Sequence, residues 1–380
     1  MENVDVLVIG GGPAGSACAW ALRRSGLDVA VLDKQAFPRD KVCAGWITLP
    51  VVEALELDLD DYGREHILQP LTGFRTSMLG CADAHVVYAE PVSYGIRRCE
   101  FDHYLLMRSG ARLFLGEALQ DMHREADGAW VVNGRIRTPL VIGAGGHFCP
   151  VARHLGARPG RNEAAITAKE VEFEMTPEQA DACDVKAEVP ELFFCADLRG
   201  YGWLFRKGDW LNIGLGHKDK RQLASHLRSF MDMLASTGKV PDPVPRRFHG
   251  HAYLLYGDAP RRIVDDGVLL VGDAAGLAYP ESGEGIRPAV ESALLAADIV
   301  TRCRGGYARA DLQPYARQLV RRFGRRTGHD ASPEAAAPKG GFSAALERRL
   351  AAQLLGTRWF ARHVVLNRWF FHLHQPPLQV

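Results

Sequence analysis

Short apolar runs and helix-type spacing alternate along the first part of this chain. Residues 4–9 form a run with a single polar residue, small residues follow at 16–25, and a second apolar run covers 29–32. Apolar runs without strict alternation are typical of strands buried on both faces of a parallel sheet. The pattern therefore predicts a strand, a helix and a second parallel strand at the amino terminus.

A similar unit is predicted late in the chain. Residues 268–271 are an apolar run that stops at Gly272 and Asp273. Apolar residues return at helical spacing over residues 286–300, with Pro288 in the first turn, where proline is tolerated. We therefore predict a buried parallel strand, a glycine-rich turn and a helix.

The middle of the chain has a different pattern. Residues 71–95 carry little charge, and apolar and polar residues alternate loosely. This pattern predicts strands that extend away from the nucleotide-binding part. Further predicted elements are strands at residues 165–175, 192–196, 203–206 and 211–215, a hairpin turn at 207–210, and a helix at 219–235. Residues 111–122 and 129–132 are assigned to strands of a small sheet, and residues 140–144 to a return to the main sheet.

Helical spacing dominates from residue 311 onward, with a linker rich in Pro, Ala and Gly predicted at residues 330–341. Residues 359–371 mix aromatic side chains with Arg and His. Such a segment is able to lie on a membrane surface, to close over a long apolar substrate, or to pack on its own protein as an amphipathic helix. The last of these is the simplest expectation.

Composition narrows the class of protein. With 380 residues, 47% of them hydrophobic, the chain can bury a large core, and its net charge of +1 argues against a nucleic-acid partner. The sequence has no run of 18 apolar residues, and Met1 opens directly on a predicted strand, so we expect a cytoplasmic protein. The eight cysteines include no C-x-x-C pair, so we predict reduced thiols and no metal site.

The first predicted turn carries the pattern G-x-G-x-x-G. Gly10 permits the tight turn, Gly12 lets the backbone approach a pyrophosphate, and Gly15 lets the helix pack on the strand. Asp33, at the end of the second strand, is suited to bind ribose hydroxyl groups. These residues predict a dinucleotide site and leave FAD and NAD as alternatives. Further candidate residues of this site are Pro13, Ala14 and Lys34.

The late glycine-rich turn adds candidates for the same ligand. A carboxylate at the edge of a sheet, as predicted for Asp273, is suited to bind a hydroxylated ligand. The following helix N-terminus offers N–H groups and a partial positive charge, which suit an anionic ligand. The candidate residues are Gly272, Asp273, Pro280, Gly283, Glu284, Gly285 and Ile286.

Residues 10–15 and 272–275 together resemble the flavoprotein monooxygenase and reductase superfamily typified by para-hydroxybenzoate hydroxylase. The resemblance implies FAD as the cofactor, with Asp273 on its ribityl chain and the following helix N-terminus stabilising the reduced flavin. Arg98, Phe101 and Asp102 match the R-x-x-F-D segment of the superfamily, which implies that Arg98 contacts the flavin.

Two motifs narrow the resemblance. Residues 41–45 resemble the K-x-C-G-G segment of the geranylgeranyl reductase family, with Ala44 in place of the first glycine. Tyr201, Trp203 and Phe205 match the Y-x-W-x-F-P motif of the family, with Arg206 in place of the proline, whereas the W-x-W-x-I-P box of flavin halogenases is not matched. This resemblance implies an enzyme that saturates isoprenoid double bonds with reduced FAD.

The predicted reductase function gives each of these motifs a role. Cys43 is the expected proton donor, with a small packing residue as the alternative. Tyr201 and Trp203 are expected in the catalytic site because alternate residues of a strand share one face and would form an apolar slot; packing in the core is the alternative. The residues of the first motif that are expected beside the cofactor are Lys41, Ala44 and Gly45.

One departure concerns the electron donor. Gly145 stands where the superfamily usually has the Asp of an Ala-Asp-Gly segment. In the monooxygenases that Asp helps to hold the flavin and NAD(P)H, so its replacement argues against direct use of NAD(P)H, while glycine still permits close approach to the cofactor. The expected donor is NAD(P)H or a reduced protein carrier. His147 and Cys149, which follow this turn, are expected to be structural.

The predicted fold class is α/β. It comprises a Rossmann-like FAD-binding domain (residues 1–70, 96–160 and 261–310), an inserted antiparallel β-sheet substrate domain (71–95 and 161–260) and a C-terminal helical segment (311–380). The predicted function is reduction of an apolar substrate, with a peripheral membrane contact through the C-terminal segment. A group A FAD-dependent monooxygenase, a flavin dehydrogenase of a secondary metabolite and a non-catalytic flavin sensor are the alternatives.

Overall fold

The computed structural model describes residues 1–159, 163, 165–258, 261–325 and 342–378. The linker predicted at residues 330–341 lies outside the described residues. The strands are β1 (Glu2–Asn3), β2 (Val6–Ile9), β3 (Val29–Asp33), β4 (Trp46–Thr48), β5 (Leu68–Leu71), β6 (Gly73–Met78), β7 (Ala84–Val87), β8 (Ser93–Ile96), β9 (Arg112–Leu115), β10 (Met122–Arg124), β11 (Trp130–Val132), β12 (Ile136–Thr138), β13 (Val141–Gly143), β14 (Ile166–Glu174), β15 (Glu191–Phe194), β16 (Gly200–Lys207), β17 (Trp210–His217), β18 (His249–Tyr253), β19 (Val264–Asp265) and β20 (Val268–Leu270).

The helices are α1 (Pro13–Arg24), α2 (Leu49–Ala54), α3 (Leu59–Glu65), α4 (Arg98–Arg108), α5 (Pro150–His154), α6 (Pro177–Ala182), α7 (Leu223–Ser236), α8 (Ile286–Cys303), α9 (Arg309–Phe323), α10 (Phe342–Leu355) and α11 (Arg358–Phe360). A 3-10 turn covers Gly272–Ala274, and a π-helix covers Ala361–Phe370.

A six-stranded sheet in the order β19-β20-β13-β2-β3-β9 forms the centre of the nucleotide-binding part. Its neighbouring strands pair in parallel, except for β19 with β20. Strands β2, β13 and β20 are buried along their whole length. This arrangement confirms the parallel strands predicted from the apolar runs at the two ends of the chain.

Helices α1 and α8 pack against each other beside this sheet. Small residues permit the close approach: a Cβ atom at Gly272 would lie 3.0 Å from the Cβ of Ala14 and 3.2 Å from the Cβ of Ala289. Helix α8 begins at Ile286 and has Pro288 in its first turn, as predicted. Because both glycine-rich turns follow carboxyl ends of parallel strands, they meet at one edge of the sheet.

The position of β9 corrects one sequence prediction. Residues 112–115 do not belong to the small sheet; they pair in parallel with β3 at the edge of the central sheet. The small sheet has the order β1-β12-β11-β10. The reason lies in α4, which precedes β9 and provides the crossover connection that a parallel strand pair requires.

A seven-stranded sheet in the order β18-β14-β17-β16-β15-β6-β7 forms the second large layer. All of its pairs are antiparallel except β15 with β6. Along β16, Leu204 belongs to the core under α7, whereas Tyr201, Trp203 and Phe205 belong to the cluster on the opposite face. The shared face predicted for these three aromatic side chains is therefore present. The division of the chain into domains by residue range stays a prediction.

The C-terminal segment covers this aromatic face. Phe370 and Phe371 are buried there, and the ring of Phe370 stacks on Trp46 with centroids 5.3 Å apart and meets Tyr201 edge-on at 5.6 Å. The segment thus packs on its own protein, the simplest of the three expectations. Within the described part of the chain, no helix is both long enough and apolar enough to cross a membrane.

Candidate functional site

The turn after β2 requires glycine at two of its motif positions. Gly10 has a φ angle of +113°, and a Cβ atom there would lie 2.6 Å from the carbonyl oxygen of Ala144. A Cβ atom on Gly15 would lie 1.8 Å from the carbonyl oxygen of Gly10, so any side chain would push α1 off the strand. At Gly12 the nearest atom to such a Cβ is Nη2 of Arg39, 3.5 Å away. Gly12 therefore leaves space in front of the helix N-terminus.

The N-terminus of α1 is suited to bind an anion. Gly12 is the N-cap residue, no side chain caps the helix there, and Pro13 at the first position has no N–H group. The N–H groups of a first helical turn have no partner within the helix, so those after Pro13 can point at a phosphate. The Asp33 carboxylate accepts the N–H of Gly11 at 2.7 Å, which holds the turn, and Lys34 is exposed.

The loop that contains Lys41, strand β18 and the late glycine-rich turn meet through a line of charged and polar side chains. Nζ of Lys41 lies 2.9 Å from both ring nitrogens of His251, and Nε2 of His251 lies 3.7 Å from Oδ2 of Asp273. Burial and the charge of Arg98 lower the pKa of Lys41 to about 8. Burial would raise the pKa of Asp273, but the hydrogen bond from His251 and the charges of Lys41 and Arg98 hold it below its usual range. Asp273 is therefore an ionised acceptor at neutral pH.

The sequence predicts free N–H groups at the N-terminus of α8. In the structure the carboxyl group of Glu284 binds some of these N–H groups. Oε1 of Glu284 accepts the N–H of Arg287 at 2.7 Å, and the carboxyl group also receives the N–H of Ile286. Burial raises the pKa of Glu284 to about 7. Among the described residues, its other oxygen, Oε2, is buried without a hydrogen-bond partner. An unpaired buried acceptor at this position fits a ligand that offers a donor group.

The remaining residues of the late turn have different surroundings. Gly283 has a φ angle of +69°, and a Cβ atom there would lie 2.4 Å from the hydroxyl oxygen of Tyr253. A Cβ atom on Gly285 would lie 3.3 Å from Oδ1 of Asp273. Gly285 therefore keeps the space beside this carboxylate open, and Gly283 makes room for the side chain of Tyr253. Pro280 is exposed.

Arg98 is a fixed cation beside the first motif. Its Nε and Nη2 donate to the two carboxylate oxygens of Asp102 at 2.8 and 2.9 Å, and Arg39 pairs with the same carboxylate at 3.0 Å. Burial would lower the pKa of Arg98, but the charge of Asp102 raises it above its usual range, with a further contribution from a hydrogen bond to Cys43. The Cys43 thiol therefore lies next to a permanent positive charge.

A buried amide ties Cys43 to the aromatic strand. Oδ1 of Asn212 accepts the indole N–H of Trp203 at 2.7 Å, and Nδ2 of Asn212 donates to the carbonyl oxygen of Cys43 at 3.1 Å. The same Nδ2 lies 3.4 Å from Glu170 and 3.2 Å from Glu172. Burial raises the pKa of Glu170 to about 8, so its neutral form is favoured at pH 7. Trp203 thus positions the Cys43 backbone through Asn212.

Gly45 is packed closely against protein on its Cβ side. Its predicted place beside the cofactor stays a prediction. With a φ angle of +67°, a Cβ atom there would lie 2.1 Å from the carbonyl oxygen of Ile96 and 2.3 Å from Nζ of Lys207. Lys207 is fully buried and pairs with Glu172 at 2.7 Å. Packing within the protein is therefore sufficient to require glycine at this position, while Ala44 packs beside the aromatic cluster.

The predicted apolar slot has a second wall that the motif did not reveal. Tyr201, Trp203 and Phe205 form one wall, and the C-terminal residues Phe370 and Phe371 cover it. The hydroxyl group of Tyr201 donates to the carbonyl oxygen of Ser282 at 2.5 Å, which links the slot to the late turn. An apolar ligand of this face must therefore lie between the sheet and the C-terminal segment, or displace that segment.

Arg261 braces the turn that contains Gly145. Its guanidinium group donates to the carbonyl oxygens of His147 and Ala274, both at 2.9 Å, and pairs with Glu163 at 2.7 Å. Burial and the charge of Arg261 lower the pKa of His147, which disfavours its charged form. These contacts support the structural role expected for His147. The Gly145 turn is held against the Asp273 turn.

Sequence reasoning missed three residues of this site. His251, Asn212 and Glu170 lie on β18, β17 and β14, and none belongs to a motif that was used. Asn212 had a detectable signal, because a polar residue within an apolar strand must find a partner when it is buried. His251 had no such signal, since it lies in a short polar stretch of the sequence.

These observations fit a dinucleotide cofactor. The site offers the open space before Gly12, the first-turn N–H groups of α1, the ionised carboxylate of Asp273 and the unpaired oxygen of Glu284. The open space and the first-turn N–H groups suit a pyrophosphate. The carboxylate of Asp273 and the oxygen of Glu284 suit hydroxyl or N–H groups of the ligand.

Comparison with known proteins points to a flavin. Residues 5–68 match a family described as FAD dependent oxidoreductase. The menaquinone reductase of Mycolicibacterium smegmatis is 31% identical, over 79% of this chain and 76% of its own length. The digeranylgeranylglycerophospholipid reductase of Methanocaldococcus jannaschii is 27% identical, over 78% of this chain and 77% of its own length.

A solved structure shares the fold. The geranylgeranyl bacteriochlorophyll reductase-like protein of Thermoplasma acidophilum superposes with a TM-score of 0.72 at 22% identity, covering 94% of this chain and 88% of its own. The expected α/β architecture and the FAD cofactor are confirmed. The roles of the individual site residues stay predictions.

We expect Asp273→Ala to lose most of its FAD. The cofactor would lose a charged hydrogen-bond acceptor, an interaction worth about 1.5–3 kcal/mol. Flavin content after gel filtration, and the dissociation constant from fluorescence titration, measure the loss. Asp266→Ala, which removes a carboxylate from the turn before β20, at the other end of the strand from Asp273, is the matched control and should keep its FAD. An Asp273→Ala protein with full FAD occupancy would remove Asp273 from the cofactor site.

We expect Glu170→Gln to change the pH dependence of stability. Between the ordinary value of 4.5 and the folded value of about 8, the folded state holds a proton that the unfolded state has lost. The free energy of unfolding therefore falls as pH rises through this window, by up to about 1.4 kcal/mol per pH unit. Glutamine mimics the neutral acid and should remove this slope in urea unfolding. Glu174→Gln, at an exposed position of the same strand, should keep it; an unchanged slope in Glu170→Gln would contradict the assignment.

Proposed function

The chain belongs to the geranylgeranyl reductase family of FAD-dependent oxidoreductases, and from this premise we propose that it reduces carbon–carbon double bonds of an isoprenoid or lipid-like substrate. The enzyme is an FAD-dependent reductase with an apolar substrate. The observation that best supports double-bond reduction is the anchoring of the Cys43 loop to the aromatic strand through Asn212. This contact keeps the backbone of Cys43 next to the aromatic strand.

The proton-transfer role of Cys43 follows from its surroundings. When bound, reduced FAD supplies a hydride to one alkene carbon. The other carbon then needs a proton, and a neutral thiol can donate one without first bringing a charge into an apolar site. The positive charge of Arg98, which lies near Cys43, would stabilise the thiolate that remains, and solvent restores the proton.

Lys41 and Asp273 have binding roles in this proposal. The burial that lowers the pKa of Lys41 to about 8 leaves it largely charged at pH 7, so with Arg98 it supplies positive charge near the reduced cofactor. The Asp273 carboxylate accepts hydrogen bonds from ribityl hydroxyl groups. His251 lies between the two and keeps them apart.

The proposed substrate site is the aromatic wall under the C-terminal segment, so the substrate inserts between the two or displaces that segment. Tyr201 and Trp203 both have their polar atoms bound to protein, to Ser282 and Asn212, so the rings present only apolar surface to a ligand. Apolar walls of this kind suit a hydrocarbon chain and offer it no polar partner. Tyr201 and Trp203 thus orient the substrate and exclude water.

The C-terminal segment also supports a peripheral membrane contact. Trp359 is 67% exposed, and the basic residues Arg358 and Arg362 beside it are exposed as well. Exposed tryptophan next to basic side chains suits the interface of an anionic bilayer. A lipid-like substrate would then reach the enzyme from the membrane surface.

We expect Cys43→Ser to keep its FAD and its fold but to slow alkene reduction by about 10²–10⁴-fold, the usual cost of losing a positioned acid. The measurement is single-turnover reoxidation of the reduced flavin by an isoprenoid alkene such as geranylgeranyl diphosphate, under anaerobic conditions. Cys99→Ser, a half-buried cysteine next to Arg98, is the matched control and should react normally. Equal rates in the two variants would leave Cys43 as a packing residue, and no reoxidation of the wild type by any alkene would overturn the reductase assignment.

We expect NAD(P)H alone to reduce the flavin slowly, whereas dithionite or a small reduced electron carrier reduces it readily. The physical reason is that Gly145 provides no carboxylate to orient a nicotinamide. Stopped-flow absorbance of the oxidised flavin measures the rates. Restoring the carboxylate in Gly145→Asp should speed reduction by NAD(P)H. Fast, saturable reduction of the wild type by NADPH, coupled to oxygen uptake, would instead indicate a monooxygenase.

A further inference from the structure

A second cluster of potential ligands lies on the other side of the substrate sheet from the aromatic wall. Cys195 follows β15, His217 ends β17, and His226 lies on α7. Cys195 belongs to the core under α7, whereas Tyr201 and Trp203 belong to the opposite face. The cluster is therefore separate from the proposed flavin and substrate sites.

The donor atoms of these three residues converge. Sγ of Cys195 and one ring nitrogen from each histidine all lie within 4.8 Å of one another. The carboxylate of Asp197 adds a fourth donor: its Oδ2 lies 3.0 Å from Nε2 of His217 and 4.0 Å from Nε2 of His226. One thiol, two imidazoles and one carboxylate form a ligand set that zinc accepts in tetrahedral geometry.

Three of the four donors already converge. The two imidazole rings stack with centroids 4.4 Å apart, and Cys195 lies beside them. At 4.0 Å, Nε2 of His226 and Oδ2 of Asp197 are too far apart for a hydrogen bond. Tetrahedral ligands with bonds of about 2.0–2.1 Å lie about 3.3–3.4 Å apart, so Asp197 would have to move toward the other three donors when the ion binds.

The backbone of Asp219 orients the His217 ring. The N–H of Asp219 donates to Nδ1 at 2.9 Å, which places the ring proton on Nε2, toward Asp197. Zinc would replace that proton, which could move to Nδ1, where the carbonyl oxygen of Asp219 lies 3.2 Å away and can accept it, as second partners of zinc-bound histidines do. The side chains of Cys195 and His217 are buried, while Asp197 is 33% exposed and gives access from solvent.

We propose that this chain binds a single zinc ion through Cys195, His217 and His226, with Asp197 as the fourth ligand. Binding releases the thiol proton to solvent, because the thiolate is the ligand. The ion joins helix α7 to the ends of two strands. It requires no change at the flavin site.

The ion would brace the strand that carries the aromatic wall. The N–H of Cys195 donates to the carbonyl oxygen of Gly200 at 2.9 Å, and Gly200 pairs with His217 across the sheet. Tyr201 follows directly. Zinc therefore holds the turn from β15 to β16 in place and fixes the start of the strand on which Tyr201 and Trp203 lie.

The test uses the full flavin-loaded chain, without a histidine tag, after removal of metals by a chelator. Zinc binding is measured by competition with a chromophoric chelator, and cobalt is added separately to detect thiolate-to-cobalt charge-transfer absorption in the difference spectrum. We expect saturable binding of one zinc ion and a rise in the melting temperature of the wild type. Cys195→Ala should lose the cobalt charge-transfer band, and His226→Ala should bind zinc at least about 100-fold more weakly, because even a lost second partner of a ligand costs 10–100-fold.

Cys183→Ala is the matched control, since Cys183 is a buried thiol of the same core cluster. It should keep both the zinc affinity and the cobalt band. Flavin content reports whether each variant folds. Because His226 is partly exposed, His226→Ala should disturb the fold less than Cys195→Ala does. The proposal is overturned if the wild type binds no zinc saturably, or if Cys195→Ala and His226→Ala bind it as tightly as Cys183→Ala does. Alkene reduction is not a readout of this experiment, so its result is independent of the proposed function.

Discussion

The hydrogen bonds of one buried amide connect the parts of this enzyme on which its chemistry depends. Asn212 has no exposed surface, so both ends of its amide need partners inside the protein. One end holds the indole of Trp203 and the other holds the carbonyl oxygen of Cys43. The apolar wall and the thiol loop therefore cannot move independently. In the proposed reaction, this constraint would hold the hydrocarbon chain and the proton donor in one arrangement.

Burial of ionisable groups sets the charge of the site. Lys41, Asp273 and Arg98 carry charges that support one another, whereas burial moves the pKa values of Glu170 and Glu284 to about 8 and about 7. Two carboxyl groups are thus neutral or near their midpoint at physiological pH. Lys41 and Arg98 lie near Asp273, which is proposed to bind the cofactor, and their positive charges would suit a flavin that gains negative charge on reduction.

The C-terminal segment covers the proposed substrate site. An aromatic strand by itself would present an open wall, but Phe370 and Phe371 close it from the other side. The ring of Phe370 contacts both Trp46, next to the thiol loop, and Tyr201, next to the late turn. Occupancy of the slot by substrate would therefore be felt by both turns that surround the cofactor.

Local pattern in the sequence determined much of this protein. The glycine spacing of residues 10–15, the apolar runs on either side and the helix after Ile286 define a βαβ unit and its late partner, because strand burial and helix starts depend on neighbouring residues. The motifs at residues 41–45 and 201–205 identified the reductase family. Tertiary structure alone decided which distant residues meet. His251 reaches Lys41 across 210 positions, Phe370 fills a slot formed by β16, and Cys195, His217 and His226 converge although their spacing matches no zinc pattern. Such contacts depend on strand order and on helix placement, which a linear pattern does not encode.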